Sequence, residues 1–289
     1  MPAPYDMAMR AVSLDAAGRP EVRDVDEPDG PGELVRVLAC GLCGSDVEKL
    51  RPEFAGAVLG HEVVGETADG RRVALVHHRG CGECARCRAG HESTCEQFAA
   101  ATIRPGGFAE RVRADAWIDL PGELSDVEAT ALEPLACVVR GADAVPPGRV
   151  LVLGQGFVGR LFASVLARRG DEVFALDADP RRSGREPDGP VDAVVVCAPG
   201  AAATALEWVA PGGTILVFAD AGALPAEQIY RRELTVAGRR SASPDAMRAA
   251  VAILPELELP EPTVLPLERF GEGLDLFLRR DAAKVVFVP

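Results

Sequence analysis

The sequence predicts a two-part protein of the α/β class, in which a β-rich first part precedes a doubly wound parallel sheet. Two patterns carry this prediction. Short apolar runs separated by Gly and Asp turns occupy roughly the first 120 residues. From Arg149 onward, strand-like runs alternate with helical stretches, as they do in parallel sheets covered by helices. A length of 289 residues permits one large domain or two modest ones, so the change of pattern is what favours two.

The first part begins with strands and ends in a helix. A capping box, Ser125 followed three residues later by Glu128, predicts a helix from Ser125 to Asp143 that carries the chain into the second part. The predicted strands before it are Leu34–Ala39, Val63–Glu66, Arg72–Val76 and Arg111–Ile118.

The second part alternates strands and helices, and the tail is expected to return to the first part through the strand Lys284–Val288. The predicted strands are Val150–Leu153, Glu172–Leu176, Val191–Cys197, Thr214–Phe218 and Leu234–Ala237. The predicted helices are Val158–Ala167, Ala201–Val209, Pro244–Leu254 and Gly271–Arg279. We therefore place one domain at 1–122 and 259–289, and the other at 123–258.

A cluster of cysteines gives the most specific signal. Cys81, Cys84, Cys87 and Cys95 follow the spacing C-x2-C-x2-C-x7-C. Four thiolates this close can surround one tetrahedral ion, and a closed set of four sulfurs favours a structural zinc. An iron–sulfur cluster is the alternative, because it also takes four thiolates.

A second set of metal-binding side chains is spread along the chain. Cys43 lies in the run Cys-Gly-Leu-Cys-Gly-Ser-Asp, the pair His61-Glu62 follows Leu-Gly, and Glu133 lies in Leu-Glu-Pro-Leu. One thiolate, one imidazole and one or two carboxylates can bind zinc and leave room for water or substrate. By spacing alone this signal is weak, because the residues are far apart.

A glycine-rich turn predicts a dinucleotide site. The run Gly154-Gln155-Gly156-Phe157-Val158-Gly159 follows a predicted strand and opens a helix, which is the context that the G-x-G-x-x-G pattern requires. The helix N-terminus then faces the phosphates. Asp177 ends the next strand, where a carboxylate accepts hydrogen bonds from the ribose and repels a 2′-phosphate. This favours NAD over NADP, although Arg181 and Arg182 lie close enough to soften the preference.

Together these motifs, in this order, resemble the zinc-dependent medium-chain dehydrogenases, and Glu-Pro-Leu resembles their polyol branch of sorbitol, threonine and glucose dehydrogenases. The resemblance covers nearly the whole chain. It implies a GroES-like catalytic domain at 1–122 and 259–289 with a structural zinc lobe at 81–95, and a Rossmann NAD-binding domain at 123–258. It also implies two zinc ions per chain, hydride transfer between NAD(H) and a secondary alcohol or ketone, and a homodimer or homotetramer.

The resemblance assigns roles to individual residues. Cys43 and His61 match the zinc ligands, and Glu62 and Glu133 are the two carboxylates that share the remaining position. Ser45 matches the hydroxyl residue that passes the substrate proton outward. Asp46 is expected to orient His61 through a hydrogen bond.

The chain departs from the family pattern in three places. The segments between Cys43 and His61 and between Glu62 and Cys81 are short, which predicts an open substrate cleft. Only a short loop stands between Asp177 and Val191, which predicts that the parallel sheet has lost a strand near the adenine side. The family often has a His shortly after the Ser-Asp pair, where this chain has Glu48. His77 and His78 are candidates for the missing role, but we interpret them as a solvated strand end.

Composition limits the partners. The formal net charge of −13 disfavours nucleic acid and anionic membranes, and without a visible leader we expect a cytoplasmic protein. The primary hypothesis is a dehydrogenase acting on a polyol, sugar or cyclitol. The alternatives are a biosynthetic reductase of ketones or aldehydes, and a non-catalytic binding protein stabilised by zinc.

Overall fold

The computed structural model describes residues 8–98 and 102–289. Within these ranges the strands are β1 (Ala8–Leu14), β2 (Pro20–Asp26), β3 (Glu33–Gly41), β4 (Glu62–Glu66), β5 (Arg72–Leu75), β6 (Ile103–Arg104), β7 (Arg111–Ala114), β8 (Trp117–Asp119), β9 (Arg149–Leu153), β10 (Glu172–Leu176), β11 (Val191–Val196), β12 (Val209–Val217), β13 (Thr235–Gly238), β14 (Thr263–Pro266) and β15 (Val285–Val288). The α-helices are α1 (Gly44–Val47), α2 (Ala85–Arg88), α3 (Asp126–Ala129), α4 (Leu132–Ala142), α5 (Phe157–Arg169), α6 (Ala202–Trp208), α7 (Ala226–Arg231), α8 (Pro244–Ile253) and α9 (Phe270–Leu278). None of these helices is long and apolar enough to cross a membrane.

The chain divides into two compact units whose borders differ from those expected at 122/123 and 258/259. Helix α3 packs against β3 and β4, and α8 packs against β8, so both helices belong with the β-rich part. Unit 1 comprises Met1–Glu133, Ala242–Pro255 and Pro260–Pro289, and unit 2 comprises Pro134–Ser241 and Glu256–Leu259.

Unit 1 contains an eight-stranded sheet with β3 at its centre. Six of the strands follow the order β14-β15-β3-β4-β5-β8. The other two lie off this path, since β7 pairs with β3 and β6 pairs with β7. Strand β3 pairs with β7 through its first half and with β15 through its last two residues. The return of the tail to the first part is therefore confirmed. In the hydrophobic core of this unit, the rings of Phe108, Phe270 and Phe287 lie in mutual contact, with centroids 4.6 to 5.6 Å apart.

Unit 2 is built on a parallel sheet of five strands in the order β10-β9-β11-β12-β13. Strand β10 is at one edge, where a doubly wound sheet of six strands would continue, so the predicted loss of a strand is confirmed in the described residues. The short loop after Asp177 covers this edge. The Gly184 amide donates to the Ala175 carbonyl at 2.9 Å, and the Ala175 amide donates to the Arg185 carbonyl at 3.0 Å.

The α/β class is confirmed. The predicted strands and helices are wrong mainly where one continuous element was predicted and the structure has two. The predicted strand Arg111–Ile118 is two strands, because β7 pairs with β3 whereas β8 pairs with β5. The predicted helix from Ser125 is also interrupted, since α3 ends before Thr130, whose hydroxyl donates to the Val127 carbonyl at 2.7 Å. Ser125 caps α3 as the capping box predicts.

Candidate active site and metal centres

Strand pairing brings Cys43 and His61 together although they are far apart in sequence. Cys43 follows β3 and stands at the N-terminus of α1, and His61 directly precedes β4. Strands β3 and β4 are antiparallel, with Gly41 opposite Glu62, so the end of one meets the start of the other. Metal-binding atoms of Cys43, His61 and Glu62 lie within 4.8 Å of one another. The structure thus assembles a thiolate, an imidazole and a carboxylate at one point.

Asp46 holds this cluster in place. Its side chain is 2% exposed, and its Oδ1 lies 3.3 Å from His61 Nδ1. The same carboxylate accepts the Gly60 amide at 3.2 Å and the Cys43 amide at 3.1 Å. Burial raises the pKa of Asp46, but the adjacent His61 and the hydrogen bonds it accepts outweigh burial and hold that pKa below its usual value. An ionised Asp46 fixes Nδ1 of His61 and leaves Nε2 for a metal.

The remaining predicted residues lie close to the cluster. Ser45 donates its hydroxyl to Cys43 Sγ at 3.4 Å. Glu133 lies in the first turn of α4, and its Oε2 is 4.0 Å from His61 Nε2. The structure therefore brings all six predicted catalytic side chains to one region of unit 1. The donor set fits zinc, because sulfur, imidazole nitrogen and carboxylate oxygen are its usual ligands.

Lys284 was not singled out from the sequence. It directly precedes β15, its side chain is 4% exposed, and it forms an ion pair with Glu62, whose side chain is 1% exposed. Its Nζ also donates to the Leu42 carbonyl at 3.1 Å. A sequence signal was present, since the chain has only two lysines among its 31 lysine and arginine residues and this one begins the predicted strand Lys284–Val288, which is otherwise apolar.

The interpretation of His77 as a solvated strand end is wrong. Its ring centroid lies 5.0 Å from that of His61 and 3.7 Å from that of His78, and its buried Nδ1 has no hydrogen-bond partner among the described residues. Burial, followed by the neighbouring His61 and His78, lowers the pKa of His77 to about 2. His77 is therefore a neutral ring beside the cluster.

The four lobe cysteines form a second, separate cluster. Sγ atoms of Cys81, Cys84, Cys87 and Cys95 lie within 4.8 Å of one another, and all four are free thiols. The Cys84 amide donates to Cys81 Sγ at 3.3 Å, and the Cys81 amide donates to Cys95 Sγ at 3.4 Å. Backbone amides from Cys84 and Glu83 lower the pKa of Cys81 to about 7. Burial raises the pKa of Cys87 to about 12, so it is the convergence of the four sulfurs that fits a closed four-sulfur metal site.

The glycine-rich turn connects β9 to α5 as predicted. Gly154 has a φ of +92°, and an added Cβ would lie 2.8 Å from the Ala198 side chain. A Cβ on Gly159 would overlap the Gly154 carbonyl, so the helix can approach the strand only without a side chain there. Gly156 caps α5 and is exposed, and Phe157 and Val158 form the first turn of the helix.

Asp177 follows β10 and binds the same turn. Its Oδ2 accepts the Gln155 amide at 2.6 Å, and its Oδ1 accepts the Asp179 amide at 2.9 Å. The Arg182 guanidinium lies 3.7 Å from Oδ2. Arg181 is instead bound to Asp179 at 2.7 Å. An acidic group and a cation therefore stand side by side at the position expected to contact the adenosine ribose.

Comparisons with known proteins support this description. Residues 30–122 match the alcohol dehydrogenase GroES-like domain. D-altritol 5-dehydrogenase of Agrobacterium fabrum is 33% identical over 287 residues, which cover 81% of this chain and 84% of the relative. L-galactonate-5-dehydrogenase of Escherichia coli is 30% identical over 179 residues, and there the match spans only 53% of the relative.

Solved structures agree over nearly the whole chain. Alcohol dehydrogenase TADH of Thermus sp. ATN1 superposes with a TM-score of 0.83 at 28% identity, covering 97% of this chain and 100% of the other. A zinc-binding dehydrogenase of Sinorhizobium meliloti bound to NADP gives a TM-score of 0.77 at 27% identity, covering 98% and 99%. The chain therefore belongs to the zinc-dependent medium-chain alcohol dehydrogenases, in their polyol branch, and is an oxidoreductase of that family.

Proposed function

We propose that the chain transfers hydride between NAD(H) and a secondary alcohol or its ketone, and that its substrates are polyols, sugars or cyclitols. The observation that carries the proposal is the cluster of Cys43, His61 and Glu62, with Asp46 orienting the imidazole. The substrate class is supported by relatives that are named as dehydrogenases of D-altritol and L-galactonate.

We assign two zinc ions to each chain, one to each cluster. The four-thiolate lobe has no position left for a substrate once its sulfurs bind a metal, so its role is structural. The Cys43 cluster offers mixed ligands and an open position, so its role is catalytic. When bound there, zinc supplies a Lewis acid that lowers the pKa of the substrate hydroxyl, and the nicotinamide supplies the hydride acceptor.

The chain's own residues orient the site and move the proton. Asp46 accepts from His61 Nδ1, which keeps the tautomer that has its lone pair on Nε2. Ser45 lies 3.4 Å from the Cys43 sulfur, and its hydroxyl is the first acceptor we assign to the substrate proton. As it accepts this proton, the hydroxyl must release its own, which we assign to the nicotinamide ribose and from there to solvent.

We propose that NAD is preferred, with NADP tolerated. The Asp177 carboxylate is expected to repel a 2′-phosphate, but the Arg182 guanidinium lies 3.7 Å away and offsets part of that repulsion. Replacing Asp177 with Asn removes the negative charge that repels the 2′-phosphate. The ratio of kcat/KM for NAD to kcat/KM for NADP should therefore fall by about tenfold, which corresponds to about 1.4 kcal/mol. An unchanged ratio would mean that Asp177 serves only the turn through the Gln155 amide.

A homodimer or homotetramer remains our proposal for the assembly. Within the described residues β13 pairs with β12 alone and leaves its other edge without a strand partner, while Val236 on it is 40% exposed. The nearby Tyr230 is 82% exposed. An uncovered strand edge beside apolar side chains favours association. Light scattering should give a mass of two or four chains, and a single-chain mass would contradict the proposal.

The function is tested with a panel of polyols, sugars and cyclitols in the presence of NAD, alongside the matching ketones in the presence of NADH. The proposal predicts turnover of at least one secondary alcohol, and His61→Asn should abolish it while NAD binding is unchanged. Turnover only of unrelated ketones or aldehydes would favour the biosynthetic reductase. Absence of turnover and of NAD binding would favour the non-catalytic binding protein.

A further inference from the structure

Helix α5, which follows the glycine-rich turn, carries arginines near both of its ends. Arg168 and Arg169 lie in its last turn. Arg168 pairs with Glu256 at 2.8 Å, and Arg169 pairs with Asp171 at 2.7 Å. A cation is favourable at this end of a helix, because the macrodipole is negative there. The two C-terminal arginines are therefore explained by contacts within unit 2.

Arg160 lies near the opposite end of the same helix, where a cation is unfavourable. It is the fourth helical residue, and its Nε donates to the Gln155 carbonyl at 3.2 Å. Helical side chains lean toward the N-terminus, so the guanidinium lies beside the glycine-rich turn. Among the residues that the structure describes, no carboxylate pairs with Arg160, although the macrodipole is positive at this end. Its charge therefore stays available to an anion from solution.

A second arginine approaches the same turn from the loop after β10, but it already has an acidic neighbour. The Arg182 guanidinium lies 3.7 Å from Asp177 Oδ2. Its Nη2 would lie 3.7 Å from a Cβ added to Gly156. Two arginines thus lie at the turn, and within the described part of the chain only Arg160 has no acid beside it.

We propose that Arg160 is a further cofactor-binding residue, whose guanidinium binds the pyrophosphate of NAD(H) at the N-terminus of α5. The inference rests on the proposed function, because it concerns the same nicotinamide cofactor. The first backbone amides of a helix have no partner within it and bind anions. Gly156, which precedes them, is exposed and leaves the approach to these amides open.

The chemistry of the two groups supports the assignment. A guanidinium presents a planar fork of N–H donors that fits phosphate oxygens, and its charge strengthens each hydrogen bond. Since Arg160 uses Nε for the Gln155 carbonyl, its two terminal nitrogens remain for phosphate oxygens. Pyrophosphate is common to NAD and NADP, so this contact should add affinity for both. Arg160 therefore contributes to affinity, whereas Asp177 and Arg182 decide between the two cofactors.

The test measures the dissociation constants of NADH, NADPH and ADP-ribose for the zinc-loaded full chain by isothermal titration calorimetry, without substrate. Arg160→Gln should weaken all three by the same factor, roughly 10- to 100-fold, as expected for the loss of hydrogen bonds to a charged group. Arg160→Lys keeps the charge and should recover part of that loss. Arg168→Gln is the matched control, because Arg168 lies about 12 Å farther along the helix, which exceeds the Debye length of about 10 Å at 0.1 M salt.

A merely structural role, in which Arg160 only holds the turn through the Gln155 carbonyl, would be visible in the cofactor-free protein. The melting temperature of Arg160→Gln should stay within about 2 °C of the wild type. A larger fall together with weaker binding would mean that Arg160 supports the turn. A loss confined to NADPH would assign Arg160 to the 2′-phosphate, and unchanged affinities would remove it from the site. Each of these results would overturn the inference.

Failure of the inference is distinguishable from failure of the proposed function. In all the results named above the wild-type chain binds NADH, and only the contribution of Arg160 is at issue. If the wild-type chain bound neither NADH nor NADPH, the proposed hydride transfer would be contradicted together with the inference.

Discussion

The two metal clusters of this chain are built in opposite ways. The lobe takes its four sulfurs from a stretch of fifteen residues, Cys81 to Cys95, around one short helix and its neighbouring turns. The Cys43 cluster takes its side chains from the ends of β3 and β4 and the first turn of α4, with Lys284 contributed from the start of β15. One cluster is local in sequence, and the other exists only when the sheet of unit 1 has formed.

Because of this difference, we expect the lobe cluster to contribute to folding stability and the Cys43 cluster to contribute to catalysis. A local cluster can close a small lobe that has little apolar core of its own, so a metal bound there contributes directly to folding. An assembled cluster lies in a sheet that is already stabilised by apolar packing, so its side chains can keep an open metal position at small cost to the fold. The predictions below test this division, beginning with the largest expected effect.

Replacing Cys43 with Ser should abolish turnover and leave the fold intact. Loss of a metal that polarises the substrate removes several kcal/mol of transition-state stabilisation, so kcat/KM should fall by at least about a thousandfold. The melting temperature should change by less than about 2 °C, because the sheet around β3 does not depend on the metal. Steady-state kinetics and thermal unfolding measure both. If Cys43→Ser lost much of its thermal stability together with its activity, the Cys43 cluster would also be structural, which would contradict the proposed division of roles.

Replacing Cys95 with Ser should lower the melting temperature, whereas Cys43→Ser should mainly lower turnover. Three thiolates hold a structural zinc less well than four, and the lost binding energy is folding energy of the lobe. A loss of about 3 kcal/mol would lower the melting temperature by about 6–12 °C in a protein of this size. Cys197→Ser, at a thiol outside both clusters, is the control. A stable variant without zinc in the lobe would show that the lobe folds by packing alone.

Replacing Asp46 with Asn should weaken the assembled site without emptying it. The amide keeps the size of the carboxylate but loses the charge that fixes His61 Nδ1, and such partners of metal ligands contribute about 10- to 100-fold in metal affinity. Chelator competition measures the change. Glu48→Gln, at the exposed acid that directly follows the same short helix, should leave the affinity unchanged. An equal loss in both variants would mean that general negative charge, rather than the bond to His61, supports the metal.

The local features of this chain were predictable from the sequence. The strand Glu172–Leu176 matches its predicted bounds, and the capping box at Ser125 forms as expected. The spacing of the lobe cysteines predicts their convergence, because fifteen residues cannot place them far apart. In each case the residues that form the sequence pattern are also the residues that form the structure, within at most fifteen residues of the chain.

The features that failed depend on contacts between distant segments. Lys284 lies 222 residues from Glu62, and only the pairing of β15 with β3 brings it to the metal cluster. His77 was misread for the same reason, since nothing near it in sequence shows that it packs on His61. The run Arg111–Ile118 was read as one strand because its apolar pattern is continuous, whereas its two halves pair with different strands.

Zinc content per chain, measured by elemental analysis in the wild type, Cys43→Ser and Cys95→Ser, tests the central claim most directly. The account predicts two zinc ions in the wild type and one in each variant. The zinc left in Cys43→Ser should resist chelators, and the zinc left in Cys95→Ser should be removed readily along with turnover. A single zinc in all three proteins, or two in Cys43→Ser, would contradict the assignment of separate structural and catalytic metal sites.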